Sequence, residues 1–234
     1  MSRSCVSMTI SAVLFDLDGT LLDRTTSLRR FLAVQHAKRI APRSTCPLDL
    51  YQHLFLALDQ NGHVWKDIVY QQLIVHLHLE GVTVSELLHD YVSEFAKTSV
   101  LFPETRHMLE QLRVSCRIGL ITNGRSDLQR AVINHHQLQT FFDPILISEE
   151  VGLSKPNPEL FLRPLIHWEL APENVLYIGD HPLHDIQGAE AVGMTGILKT
   201  DHPVVASPSS YTVNDWSELE PLLIQLNLER RSRS

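Results

Sequence analysis

The chain has 234 residues, 44% of them hydrophobic and 20% charged, a composition that excludes a disordered, collagenous or membrane-embedded main state. Its length is more than one typical domain and less than two, which fits one large domain or a core carrying an insertion. Twenty Lys and Arg against 27 Asp and Glu give a net charge of −7, which argues against a nucleic-acid surface, and Cys5, Cys46 and Cys116 are too few and too scattered for a disulfide framework or a zinc knuckle, so a reducing, cytoplasmic setting is expected.

In chain order, residues 1–10 lack the apolar stretch of a secretory signal, and no run approaches the roughly 18 apolar residues of a membrane span. The Ser-rich ends, 1–7 and 227–234, read as flexible termini. A first apolar run, Ala12 to Phe15, reads as a strand. From about Arg24 to Leu101 four helical patterns follow one another without a convincing strand: Ser27 to Ala41, Leu48 to Asp59, Trp65 to Leu79 and Val84 to Ala96. Beyond them apolar runs and amphipathic stretches alternate. Strands are expected at Arg117 to Thr122, Ile145 to Ile147, Asn174 to Ile178 and Thr195 to Leu198, with an edge strand near Tyr211 to Val213. Helices are expected at Pro103 to Val114, Asp127 to His136, Pro158 to Trp168 and Asp185 to Ala191. The pattern is α/β: a Rossmann-like parallel sheet with helices on both faces, residues 8–23 and 102–226, interrupted by a small all-helical domain, residues 24–101.

Ligands of an open parallel sheet bind beyond the carboxyl ends of its strands, so the residues after each apolar run carry the functional information. Asp16-Leu17-Asp18-Gly19-Thr20 follows the first run. Two carboxylates one residue apart are costly unless a cation offsets them; Mg²⁺ taking one Asp16 oxygen and a backbone carbonyl would leave Asp16 a nucleophilic oxygen and Asp18 free to move protons. An acidic turn after a strand would look the same. Thr122-Asn123-Gly124 closes the second run with a hydroxyl and backbone amides suited to a phosphate oxygen, or to an ordinary helix cap. Lys155, fixed by Pro156, can neutralise phosphate charge, or is a surface lysine in a Pro-rich turn. Gly179-Asp180 through Asp185 follows the fourth run: Asp180 could give a metal a second carboxylate and Asp185, at a helix start, could hold Lys155 or metal-bound water, or the two are an acidic loop and a helix cap.

In this order, Asp16-x-Asp18-Gly-Thr, Thr122, Lys155-Pro and Gly179-Asp180-x-x-x-x-Asp185 resemble the four motifs of the haloacid dehalogenase superfamily, and the helical insertion resembles its cap of the first type. The resemblance implies a Mg²⁺-dependent phosphatase acting on a small phosphorylated metabolite. Asp16 would form an aspartyl-phosphate, and Asp18 would protonate the leaving alcohol and then activate water. Asp16, the Asp18 carbonyl and Asp180 would hold the metal, while Thr122, the Asn123 amide and Lys155 would hold the phosphoryl group.

A metal-independent 2-haloacid dehalogenase is the rival that Asp18 argues against, since the resemblance gives dehalogenases no acid at that place. A phosphomutase shares the same core motifs, and a non-catalytic binding protein would have no need for the full set. Substrate choice is expected in the helical insertion, with His63 and Lys66 as candidates to meet an anionic substrate, in a loop that reads equally well as a helix connector. His76 and His78, and the adjacent His135 and His136, lack the spacing of a helical metal pair, and Trp65 and Trp168 read as packing residues. The expected partner is the small phosphorylated substrate, with no nucleic acid and no membrane, and the chain is a monomer or a homodimer.

Overall fold

The structure, a computed structural model, describes residues 10–200 and 211–233. The chain divides into two units, Met1–Asp23 with Leu101–Ser234, and Arg24–Val100 between them in sequence. The expected flexible segment 1–7 lies outside the described residues.

The second unit is built from α1 (Arg24–Gln35), α2 (Leu48–Asp59), α3 (Lys66–His76) and α4 (Val84–Thr98). Its interior is aromatic. Phe31 meets Tyr91 edge-on at 5.4 Å, and Phe55 meets Tyr70 at 5.5 Å. One buried amide organises the polar atoms that these rings bring inside: Tyr51 and Tyr70 donate to Gln35 Oε1 at 2.8 and 3.1 Å, and Gln35 Nε2 donates to the Leu87 carbonyl at 2.9 Å. Every member is satisfied, as a buried network requires. Helix α4 starts with a capping box between Thr83 and Glu86. The expected helix from Ser27 to Ala41 is α1 followed by a wider π turn, His36–Ile40.

In the first unit, β1 (Ala12–Phe15), β2 (Arg117–Thr122), β3 (Ile145–Ile147), β4 (Val175–Gly179), β5 (Thr195–Lys199) and β6 (Thr212–Val213) form, among the described residues, a six-stranded sheet of order β3-β2-β1-β4-β5-β6. All neighbours are parallel, with Phe15 opposite Leu120 on one side and Ile178 on the other. The strand order reverses around β1, which opens a crevice at its carboxyl end between β2 and β4. β1 and β4 are buried throughout, the reason that both read as unbroken apolar runs.

The helices of this unit are α5 (Thr105–Ser115), α6 (Ser126–His135), α7 (Ser148–Val151), α8 (Pro158–Trp168), α9 (Gly188–Glu190) and α10 (Leu219–Arg233). Alternation along the strands divides the side chains between two faces. Ala12, Leu14, Ile121, Val175 and Tyr177 pack against Leu160, Phe161, Leu165 and Trp168 of α8. On the opposite face Phe15 meets Phe142 at 6.2 Å and the edge of Trp216 at 6.0 Å, and the Trp216 indole donates to Thr105 of α5 at 2.8 Å. Helices thus cover both faces. The chain leaves and re-enters this unit side by side, through an antiparallel bridge between Leu22 and Leu101.

Three expectations need correction. The helix expected from Asp185 starts earlier, as a π turn, Pro182–Gln187, that runs on into α9. Asp185 therefore lies inside the turn, and the cap is His181, whose Nδ1 accepts from the Leu183 and His184 amides at 3.2 and 3.1 Å. Helix α5 starts at Thr105 because Glu104 takes a left-handed conformation, φ 59°. The segment from 227 onward, read as a flexible end, continues α10 to Arg233, with Leu226 buried and Asn227 accepting the Ile10 amide at 3.0 Å.

Candidate active site

Asp16 follows the last residue of β1, and its amide donates to the Ile178 carbonyl of β4 at 2.9 Å, which carries the sheet register into the first motif. Its carboxylate is buried. Oδ1 receives Lys155 Nζ at 2.5 Å and Oδ2 receives the Thr20 hydroxyl at 3.3 Å. Lys155 is equally buried and reaches two further acceptors, Asp185 Oδ1 at 2.6 Å and the Tyr177 hydroxyl at 3.1 Å. Tyr177 comes from the middle of β4, and its hydroxyl also lies 3.1 Å from Asp185 Oδ1 and 3.2 Å from the Ile121 carbonyl. The second Asp185 oxygen is fixed by the His181 amide at 3.0 Å. Burial alone would push the Lys155 ammonium down, but Asp16 and Asp185 outweigh it and hold the group well above the usual lysine range.

Single oxygens of Asp16, Asp180 and Asp185 all lie within 4.8 Å of one another. Two glycines make this crowding feasible. A Cβ on Gly19, whose φ is +81°, would stand 2.2 Å from Asp180 Oδ2, and one on Gly179 would stand 2.4 Å from Asp185 Cγ. Within this group Lys155 offsets one of three negative charges. Burial, opposed by Lys155 and reinforced by Asp185 and Asp180, pushes the Asp16 carboxyl well above the usual carboxylate range. Asp180 reaches solvent at the rim, yet crowding on its inner side, and then the charge of Asp185, push its carboxyl up to about 7. A divalent cation fits this set: the donors are hard oxygens, and its charge would offset the burial and the like charges that raise both carboxyls.

Thr122 ends β2 and is buried beside Asn123. The Asn123 side chain clamps the backbone of Lys155, accepting its N–H at 2.9 Å and donating to its carbonyl at 3.1 Å. Strand β2 thereby sets the position of a lysine 32 residues further on. The amides at the start of α6 have partners of their own: Gly124 donates to the Ser148 hydroxyl at 2.9 Å and Ser126 to the Glu149 carboxylate at 2.7 Å. Short α7, which sequence patterning missed, supplies both acceptors. The electropositive end of α6, expected to serve a phosphate oxygen, is thus partly answered from within the fold.

Asp18 is half-buried just beyond Asp16 and accepts from Gln129 Nε2 at 2.8 Å. Gln129 and Tyr177 are the residues of this cluster that sequence reasoning passed over. Signals for both existed: Gln129 shares a helical stripe with Val132 and Ile133, and Tyr177 places a hydroxyl inside the apolar run before Gly179-Asp180. Candidates His63 and Lys66 belong to the other unit. Lys66 forms an ion pair there with buried Asp59, which also binds Arg24 Nη2 at 2.7 Å, and lies 5.5 Å from the Tyr91 ring centre. Lys66, a candidate to meet a substrate anion, thus has Asp59 as an ion-pair partner that sequence patterning did not show. His63 is exposed.

A family model described as haloacid dehalogenase-like hydrolase matches residues 13–199. Among curated relatives, glyceraldehyde 3-phosphate phosphatase of Methanopyrus kandleri is 33% identical over 202 residues, covering 80% of this chain and 83% of that protein. Pyrimidine 5'-nucleotidase YjjG of Escherichia coli is 33% identical over 148 residues, 61% of this chain and 65% of that protein. Phosphoserine phosphatase of Thermus thermophilus is 39% identical over 98 residues, and the match spans 42% of this chain and 39% of that protein. The fold is also that of a HAD-hydrolase, YfnB of Bacillus subtilis, solved bound to magnesium: TM-score 0.76, 22% identity, covering 92% of this chain and 99% of that one.

Proposed function

Since the chain belongs to the haloacid dehalogenase-like hydrolase family, we propose that it is a magnesium-dependent phosphatase that hydrolyses a small phosphomonoester through a phosphorylated Asp16. The observation that carries this reading is the approach of Asp16, Asp180 and Asp185 to within 4.8 Å around a single buried lysine at the ends of β1 and β4. Relatives named as phosphatases of a triose phosphate, a nucleotide and phosphoserine support a small phosphorylated substrate. The magnesium in the Bacillus subtilis structure supports the choice of cation.

Asp16 attacks phosphorus, forming an acyl-phosphate bond as the P–O bond to the alcohol breaks, and Asp18 gives its proton to the departing oxygen. Asp18 then takes a proton from water, whose oxygen bonds to phosphorus and releases Asp16 with inorganic phosphate. Lys155 keeps one Asp16 oxygen in place and, with the Thr122 hydroxyl and the Asn123 amide, offsets charge on the phosphoryl oxygens. Magnesium, held by Asp16, Asp180 and the Asp18 carbonyl, would supply the positive charge that lets a carboxylate approach an anionic ester. Asp185 orients Lys155.

The expected behaviour is hydrolysis of p-nitrophenyl phosphate that requires Mg²⁺, stops in EDTA and falls by at least about 10³-fold in Asp16→Asn. Turnover that survives chelation, or an active Asp16→Asn, would rule the reading out. Halide release from 2-chloropropionate without metal would point to a dehalogenase instead.

A further inference from the structure

We propose that Gln129 is the positioning residue for Asp18, holding one oxygen of that carboxylate so that the other carries the proton. The inference rests on the reading of Asp18 as proton carrier and adds a residue that no motif of the chain contains.

Gln129 lies in the first turns of α6, buried, and its Nε2 meets three acceptors: Asp18 Oδ2 at 2.8 Å, Thr122 Oγ1 at 2.7 Å and the Asn123 carbonyl at 3.1 Å. The Asn123 carbonyl can only accept, as can Asp18 when ionised, so the amide presents its nitrogen here; the flipped amide would set its oxygen against both. The surrounding backbone is shaped to this side chain. Gly124 takes φ +145°, and a Cβ there would lie 3.2 Å from both Cγ and Nε2 of Gln129. Helix α6 is itself anchored, through Ser126 to Glu149 at 2.7 Å and Arg130 Nη2 to Glu150 at 2.6 Å, so the amide rides on a fixed element.

Nε2 has two hydrogens for three acceptors, so the two shortest contacts, Thr122 and Asp18, take one each and the Asn123 carbonyl at 3.1 Å shares one of them, with two consequences. With Oδ2 of Asp18 occupied by an N–H, the proton destined for the leaving oxygen sits on Oδ1. With an N–H already directed at Thr122 Oγ1, the threonine proton is turned away from Gln129; among the described residues its acceptor is the Asn123 carbonyl at 3.5 Å, a long contact, so the hydroxyl remains disposed to donate to a phosphoryl oxygen.

Leaving-group dependence separates this role from simple packing. An alkyl phosphate needs a proton on its departing oxygen, whereas p-nitrophenolate leaves without one, and kcat/KM reports only the steps up to alcohol release. In Gln129→Met, which keeps length and loses the donors, kcat/KM should fall for both esters but at least about 10-fold further for the alkyl ester. Gln129→Glu, closest in shape, should show the same selective loss, and Asp18→Asn a larger one. Equal losses on both esters, or none, in a variant that melts like the wild type would overturn the inference. A wild type inert on both esters with Mg²⁺ would instead overturn the phosphatase reading beneath it, and the inference with it.

Discussion

Lys155 is placed by its main chain and charged by its neighbours. Asn123 grips the Lys155 backbone with two hydrogen bonds, and Asp16, Asp185 and Tyr177 surround its ammonium. Burial opposes the charge on this ammonium and the two carboxylates sustain it, so the site depends on Asp185 and Asn123 as well as on the residues that meet the substrate. Gly179 shows how little room is left. The Cβ of Gly179→Ala would need space held by Asp185 Cγ, and overpacking of this kind costs about 1–3 kcal/mol. We expect this variant to melt roughly 2–10 °C lower and to lose most phosphatase activity, because Asp185 releases Lys155. A melting temperature and rate equal to wild type would show that the carboxylate moves aside freely.

At the scale of elements, what was legible follows from what buries what. Strands β1, β2 and β3 stand where their runs begin and end; β1 is buried throughout, and β2 is buried beyond its exposed first residue, Arg117. Helices α2 and α8 were equally legible, and in the structure Asn157 caps α8 with Pro158 in its first turn. The four residues of α7 are too few to show a helical period, although they supply the partners of the α6 amides. Both π turns were hidden because a single turn closed by i→i+5 bonds, such as Ala41 to His36 and Ile186 to His181, disturbs only a few positions. In the site itself, residues next to strand ends could be read, whereas Gln129 acts on a carboxylate 111 residues away and needs the folded sheet to reach it. The same limit applies to Lys66, whose bond to Asp59 joins the end of α2 to the start of α3. Lys66→Ala leaves buried Asp59 with Arg24 and one neutralising group fewer, at a cost of about 1–3 kcal/mol. Thermal unfolding should show that loss; an unchanged melting temperature with an altered KM across a panel of phosphorylated metabolites would make Lys66 a substrate contact after all.

At the scale of the whole molecule, the net charge of −7 is partly a concentration of carboxylates at one strand end. Asp16, Asp180 and Asp185 come from two neighbouring strands and the turn after them, brought together by the parallel pairing of β1 with β4. Such crowding costs stability, and the sheet sustains it through the buried apolar face packed on α8 and the Phe15, Phe142 and Trp216 cluster opposite. The remaining length of the chain is the four-helix unit Arg24–Val100, and no helix among the described residues is long and apolar enough to cross a membrane. Turnover by the proposed route phosphorylates Asp16, and this intermediate is open to observation. The route is tested most directly by acid-quenching the enzyme with a phosphomonoester and Mg²⁺ within the first turnovers and mapping the phosphoryl group by peptide mass spectrometry. The expected result is an acid-stable, hydroxylamine-sensitive adduct on Asp16 that is missing in EDTA; substrate consumed with no adduct on Asp16, or an adduct on another residue, would contradict the account.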